Sequence, residues 1–123
     1  MSPIIYVALG GALGSAARYA VSRIIQEHAG TAFPLHTMTV NIAGCLLIGL
    51  VGGVAQRAGS MPPALKLFLT VGFCGGFTTF STFCNEAFAL MRGSQCLLAA
   101  LYATLSMLMG LLAVYAGNML ARL

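Results

Sequence analysis

Four long apolar stretches constrain the fold of this chain more than any motif does. They cover residues 4–25, 37–56, 64–91 and 96–121, and a helix needs about 20 residues to cross a bilayer. Charged residues make up only 7% of the chain, against about a quarter in soluble domains. A soluble fold of this length could not bury so much apolar surface. The sequence therefore predicts an all-α, multi-pass membrane protein, with residues 1–123 forming one domain of four transmembrane helices in contact with lipid.

The basic residues do not select one orientation in the membrane. The side of the membrane with the termini carries three basic residues, Arg57, Lys66 and Arg122. The other side carries Arg23 and Arg92, and also Arg18 if it reaches the interface. Because the positive-inside rule then gives no preference, one interpretation is that the chain inserts both ways, which would allow an antiparallel homodimer. The alternative is that one orientation prevails for reasons outside the loops. Because the basic residues are spread along the chain, they also argue against a nucleic-acid partner, which requires clustered basic residues.

The third apolar stretch contains the segment GFCGGFTTFSTF at residues 72–83. A continuous helix over residues 64–91 would be about 42 Å long, whereas the hydrocarbon core is about 30 Å thick. The glycines favour a helix that is broken near the bilayer middle. Broken membrane helices offer carbonyls to cations and N–H groups to anions, so an ion site is predicted here. The alternative is an intact, tilted helix whose glycines serve packing.

Polar side chains cluster after these glycines and recur on the other apolar stretches. Glu86 is the most informative, because an ionisable group in a membrane span is costly and is usually functional. It could also lie near the interface and simply be hydrated. Asn41 could bridge two helices or face an ion, and Arg18 could attract anions or bind carbonyls. Tyr102, Ser106 and Gly110 repeat every four residues, which predicts a small, hydroxylated face on the last helix.

The polar groups favour an anion over a cation. Amide N–H groups and hydroxyls donate hydrogen bonds, and the edge of a phenyl ring is its positive part. The residues alone therefore predict a narrow polar pathway for a small anion. An enzyme is not indicated, because no nucleophile–base pair or metal cluster is visible in the sequence. His28 and His36 are expected to lie in a solvated loop.

Four parts of the sequence resemble the Fluc (CrcB) family of fluoride channels over essentially the whole chain. The matching parts are GGALGSAARY at 10–19, TMTVNIAG at 37–44, GFCGGFTTFSTF at 72–83 followed by Glu86, and the spacing of Tyr102, Ser106 and Gly110. The resemblance implies a channel of the bacterial inner membrane that exports fluoride passively and so protects the cytoplasm. It also implies an antiparallel, dual-topology homodimer with two pores.

The resemblance also implies roles for individual residues. A structural sodium ion (Na+) at the dimer centre would be held by the carbonyls of Gly75 and Thr78 from both subunits. Fluoride would pass the ring edges of Phe80 and Phe83 and the pore asparagine, Asn41. It would then meet a polar track formed by Ser81, Thr82 and Glu86, and the lining of the last helix at Tyr102 and Ser106. Arg18 matches an arginine near the end of the first helix. Gly110 stands where some members have a hydroxyl, so it supplies no side-chain donor at that level.

Two other functions compete with the channel. A small multidrug-type proton-coupled transporter can also be a four-span, dual-topology dimer, but such transporters resemble one another in a membrane-embedded glutamate of the first span. Here the first acidic residue is Glu27, at the end of that span, and the chain has no tryptophan. A purely structural membrane subunit would not need a broken third helix with an intramembrane carboxylate.

Overall fold

A computed structural model of the chain describes residues 2–30, 33–59 and 61–123, which form helices joined by short turns. The elements are α1 (Pro3–His28), α2 (Leu35–Ala58), α3 (Pro63–Leu67), a π-helical segment (Phe68–Cys74), α4 (Gly75–Phe77), α5 (Ser81–Arg92) and α6 (Cys96–Ala121). Four stretches are long and apolar enough to cross a membrane: Pro3–His28, Leu35–Arg57, Pro63–Arg92 and Cys96–Ala121. The prediction of an all-helical chain with four such stretches is confirmed.

Proline and glycine account for several helix ends. Pro3 and Pro63 occupy the first turns of α1 and α3, where a backbone N–H would have no helical partner. Gly59 follows α2 with φ of 71°, a left-handed conformation that costs glycine little, and its N–H closes the last turn on the carbonyl of Ala55. These residues therefore set the lengths of the first three apolar stretches.

The third apolar stretch is not one regular helix. Between Pro63 and Phe77 the backbone runs through α3, the π-helical segment and α4. Thr78 then adopts an extended conformation, with φ of −93° and ψ of 160°, and regular helix resumes only at Ser81. The irregular residues 78–80 fall directly after the predicted glycines. That a break lies at the middle of a bilayer stays a prediction.

Glycines allow the helices to approach each other closely. A Cβ added at Gly10 or Gly14 of α1 would meet backbone carbonyls of the third stretch, at Phe68 and Phe73. A Cβ at Gly49 of α2 would likewise meet the α6 backbone. These contacts agree with the general rule that small residues let membrane helices pack backbone to backbone.

The contact at Gly49 gives a first testable prediction. Gly49→Ala should destabilise the chain by about 1–3 kcal/mol, because the added methyl group would overlap the carbonyl of Val114 on α6. Gly52→Ala is the matched control, since its Cβ would lie 3.8 Å from the Asn118 side chain, which is an ordinary contact. Thermal unfolding of both variants in detergent measures the difference. Equal unfolding temperatures would contradict this account of the α2–α6 packing.

A small core lies where α2, α5 and α6 meet, close to the loops that precede α2 and α6. Its buried residues are Met38, Leu90, Ala99 and Tyr102. Much of the remaining apolar surface of the single chain is exposed, including Leu97 and Leu111. Exposed apolar surface is expected of a protein that is solvated by lipid. The small core holds Tyr102 beside the polar residues of the candidate site.

Candidate functional site

Asn41 of α2 binds the irregular backbone after α4. Its Oδ1 accepts a hydrogen bond from the Thr79 N–H at 2.8 Å, and its Nδ2 donates to the Thr79 carbonyl at 3.1 Å. Both halves of the amide therefore hold one residue of the interrupted segment. Because the NH₂ group has two hydrogens, one donor remains for another partner. Of the two roles predicted for Asn41, bridging between helices is observed, and contact with an ion stays a prediction.

The backbone around residues 75–82 leaves several carbonyls without their usual helical donors, among them those of Gly75 and Thr78. In a regular helix, the N–H of Thr79 would bond to the Gly75 carbonyl, but it donates to Asn41 instead. The N–H of Thr82 would bond to the Thr78 carbonyl, but it donates to the Thr79 hydroxyl at 3.2 Å. The two carbonyls predicted to bind a cation are thus among those that the interruption leaves without an i+4 backbone donor. Gly75 and Thr78 also line one cavity of about 340 Å³.

Two further hydrogen bonds secure the same turn. Arg18 of α1 donates from Nε to the Gly76 carbonyl at 3.0 Å, so it binds a carbonyl, which is one of its two predicted roles. The Thr78 hydroxyl donates to the Cys74 carbonyl at 2.8 Å. The contacts of Arg18 and Asn41 supply from side chains hydrogen bonds that a regular helix would supply from its backbone. The Thr78 hydroxyl adds a second bond to the Cys74 carbonyl, which also accepts the Thr78 N–H at 3.0 Å.

A row of aromatic rings runs from the interrupted segment towards the loop before α2. Phe80 and Phe83 have ring centroids 6.0 Å apart, and Phe83 and Tyr102 have centroids 4.9 Å apart. Tyr102 then meets Phe33 edge to face at 5.5 Å. Phe80 begins the row with 75% of its surface exposed in the single chain, whereas Tyr102 is fully buried. The row therefore leads from an open face of the chain into its core.

An apolar groove of about 260 Å³ adjoins the Phe80 end of this row. Five residues named from the sequence line it: Asn41, Phe80, Phe83, Ser106 and Gly110. The Ser106 hydroxyl is buried and has no hydrogen-bond partner among the described residues. A buried hydroxyl of this kind normally has a partner, so it is a natural contact for a ligand in the groove. Cys45, which sequence reasoning passed over, lines the groove beside Gly110, and its thiol is a weak donor there.

Glu86 lies at the inner end of the aromatic row, in contact with two other helices. Its Oε1 accepts a hydrogen bond from the Tyr102 hydroxyl at 3.2 Å, and its Oε2 lies 2.8 Å from Nε2 of His36. The Glu86 and His36 side chains are 20% and 18% exposed. Glu86 is therefore a paired, half-buried carboxylate, and the Tyr102 hydroxyl is bonded to it.

The expectation of solvated loop histidines was wrong for His36, whereas His28 is exposed as expected but belongs to a helix. His28 is the last residue of α1, and His36 is the second residue of α2, partly buried against Glu86. The sequence carried no signal for this pairing, because His36 and Glu86 are fifty positions apart and meet only when α2 packs beside α5. Thr37, another residue the sequence reasoning omitted, is buried within side-chain hydrogen-bonding reach of Tyr102.

The predicted polar track is only partly assembled in the single chain. Thr82 lines a cavity of about 170 Å³ together with Arg18 and His36. Glu86 and His36 line a neighbouring cavity of about 300 Å³. Ser81 is exposed and lines none of the four cavities described here. The structure therefore brings Thr82 and Glu86 near one another through His36 and leaves Ser81 on the outer face.

Comparison with known proteins agrees with the resemblance drawn from the sequence. Residues 5–118 match the model of the family described as CrcB-like protein, Camphor Resistance (CrcB). A fluoride-specific ion channel FluC from Flavobacterium psychrophilum is 47% identical over 99% of this chain and 98% of its own length. Proteins of the same name from Nitratidesulfovibrio vulgaris and a Geobacter species are 45% and 41% identical, covering 95% and 99% of this chain and 94% and 98% of their own lengths. The chain therefore belongs to the CrcB family.

Proposed function

We propose that this chain forms a fluoride-selective ion channel that exports fluoride passively across the bacterial inner membrane. The observation that carries this proposal is the groove beside Phe80, with its unpartnered Ser106 hydroxyl and the remaining N–H of Asn41. The family relatives are named fluoride-specific ion channels, which supports the same ion. Their names do not favour the alternative of a small multidrug-type transporter.

The groove suits a small anion that has lost its water. Phenyl edges at Phe80 and Phe83, one amide N–H and one hydroxyl would replace hydration with weakly polar and hydrogen-bonding contacts. No cationic side chain lines the groove among the residues that the structure describes. An anion would therefore be stabilised there without being trapped, as conduction requires. A larger anion would need more room between the rings, which gives a physical basis for selectivity.

The polar track would continue this route towards the loop before α2. Fluoride would pass along the aromatic row to Thr82, Tyr102 and Glu86, with Ser81 reaching the track from the outer face. Because Glu86 is held by Tyr102 and His36, its carboxylate is already hydrogen-bonded on both oxygens. These contacts hold the carboxylate in place, so that it would be less free to turn towards a passing anion.

An antiparallel homodimer would complete the pathway, with two pores per dimer. The exposure of Phe80 supports this, because an apolar wall made by a second copy would enclose a groove that one chain leaves open. The near-equal basic charge on the two sides of the membrane supports insertion in both orientations.

The proposal also includes a sodium ion at the centre of the dimer. The carbonyls of Gly75 and Thr78, whose helical donors are diverted, would hold it from both subunits. Carbonyl oxygens suit a hard cation, and broken membrane helices offer such oxygens. The ion would stabilise the interface and the irregular residues 78–80.

Removal of sodium gives a second testable prediction. Replacing Na+ by a large organic cation should lower the thermal stability of the detergent-purified dimer. A ligand present at about 100 times its Kd stabilises the state that binds it by about 2.7 kcal/mol. Unfolding temperature and size-exclusion profile, compared at equal ionic strength in Na+ and N-methylglucamine, measure the effect. Identical behaviour in both salts would remove the cation from the proposal.

Fluoride efflux from liposomes tests the channel itself. Vesicles containing the purified protein should lose fluoride rapidly and retain chloride, with no proton gradient applied. Protein-free vesicles control for leakage. A well-folded protein that releases no fluoride, or that requires a proton gradient, would contradict a passive channel and favour the multidrug-type transporter.

A further inference from the structure

We propose that His36 makes fluoride conduction depend on pH, by compensating the charge of Glu86 when the imidazole is protonated. The inference rests on the proposed channel function and adds a residue outside the sequence-derived site. Its basis is the 2.8 Å contact between His36 Nε2 and Glu86 Oε2, which joins α2 to α5. Both side chains are about four-fifths buried, so water screens this contact only partly.

The position of this pair links it to the pathway. Glu86 accepts the hydrogen bond of Tyr102, and Tyr102 packs on Phe83, which lines the groove. His36 lines the cavities on both sides of the pair, one shared with Glu86 and the other with Thr82 and Arg18. An anion moving between the aromatic row and the loop side would pass within the electric field of this pair.

Few other groups near the pair can change charge at neutral pH. Glu86 faces His36 from α5 and Tyr102 contacts that carboxylate from α6. Arg18 and Tyr19 of α1 line the same cavity as His36, and the amide of Gln26 approaches its Nε2 at 3.4 Å. Guanidinium groups stay charged in proteins and phenols ordinarily titrate near about 10, whereas histidine ordinarily titrates near about 6.5. Histidine is the side-chain type whose charge ordinarily changes in the physiological pH range, and His36 is the imidazole among the groups named here.

The direction of the effect follows from the charges. A protonated His36 and an ionised Glu86 sum to zero and leave the cationic Arg18 nearby to attract anions. After the imidazole loses its proton, it can still donate from Nε2, but the pair carries one net negative charge. Fluoride then meets a repulsive field, and its conductance falls. Fields of this kind change the entry rates of charged ligands by tenfold or more, so a change of about two- to tenfold is expected.

Single-channel fluoride current in planar bilayers tests the inference at equal pH on both sides. Recordings at about pH 5.5 and 8.5 bracket the ordinary histidine range. We expect a larger wild-type current at the acidic pH. His36→Gln should show the low current at both values, and His36→Lys, with a permanent positive charge, should show the high current at both. A merely structural role would not produce this charge-dependent rescue.

His28→Gln is the matched control, because His28 lies at the exposed end of α1 and bonds to the Ile24 carbonyl. It should keep the wild-type pH profile. A wild-type current that does not change with pH, or a pH profile that survives in His36→Gln, would overturn the inference and leave the channel intact. Absence of any wild-type fluoride current would instead overturn the channel proposal on which the inference rests.

Discussion

Asn41→Asp is expected to reduce fluoride current by at least about 100-fold. The substitution preserves size and the acceptor for the Thr79 N–H, but it replaces the donor to the Thr79 carbonyl by a second oxygen. It also adds a negative charge beside the groove. Two like charges about 4 Å apart repel by about 4 kcal/mol at an effective dielectric constant near 20, so an anion would be largely excluded. Single-channel recording, or efflux from liposomes, measures the loss.

Asn118→Asp is the matched control for this charge. Asn118 lies on α6 near the C-terminus, beside Gly52 and Gly53, and does not line the groove. It should retain fluoride current close to that of the wild type. If Asn41→Asp also conducts like the wild type, while eluting as a folded dimer, the anion pathway does not pass Asn41.

Phe80→Ile is expected to lower fluoride current by about tenfold while leaving the protein folded. The ring is mostly exposed in the single chain, so its loss removes little packing within the chain. What it removes is an aromatic edge in the groove, together with the contact to Phe83 at 6.0 Å. Interactions of aromatic rings are worth about 0.5–1.5 kcal/mol, which corresponds to an effect of up to about tenfold.

Phe88→Ile provides the control on the same helix. Phe88 is also exposed, at 55%, but its ring lies under the guanidinium of Arg92 and not in the groove. Its replacement should change fluoride current by less than about twofold. An equal loss in both variants would mean that α5 is perturbed generally, and the role assigned to the Phe80 ring edge would then be withdrawn.

The number and extent of the helical stretches could be predicted because they depend on local features. Apolar length, Pro3, Gly59 and Pro63 act within a few residues, and the glycines of the third stretch favoured an interrupted backbone over an intact helix packed through glycine. The π-helical segment at Phe68–Cys74 was not predicted. Its sequence is as apolar as that of an α-helix, and such bulges depend on how neighbouring helices pack rather than on local preference.

Many residues of the candidate site were named from the sequence, but most of the hydrogen bonds between them were not predicted. The paired hydrogen bonds between Asn41 and Thr79, and the bond from Arg18 to the Gly76 carbonyl, each link positions far apart in the chain. For Asn41 and for Arg18, the sequence allowed two roles and did not distinguish between them. The choice required the distance between two helices, which no local pattern contains.

By itself, the sequence determined that this chain has four stretches long and apolar enough to cross a membrane, favoured an interrupted third stretch over an intact one, and carried the resemblance to the CrcB family. Those properties follow from apolar length, helix-breaking residues and a long specific motif, all of which can be read along the chain. Only the tertiary structure decided which carbonyls lose their helical donors, and that His36 meets Glu86. The physical reason is that hydrogen bonds and ion pairs act over about 3 Å, and only packing brings distant residues that close.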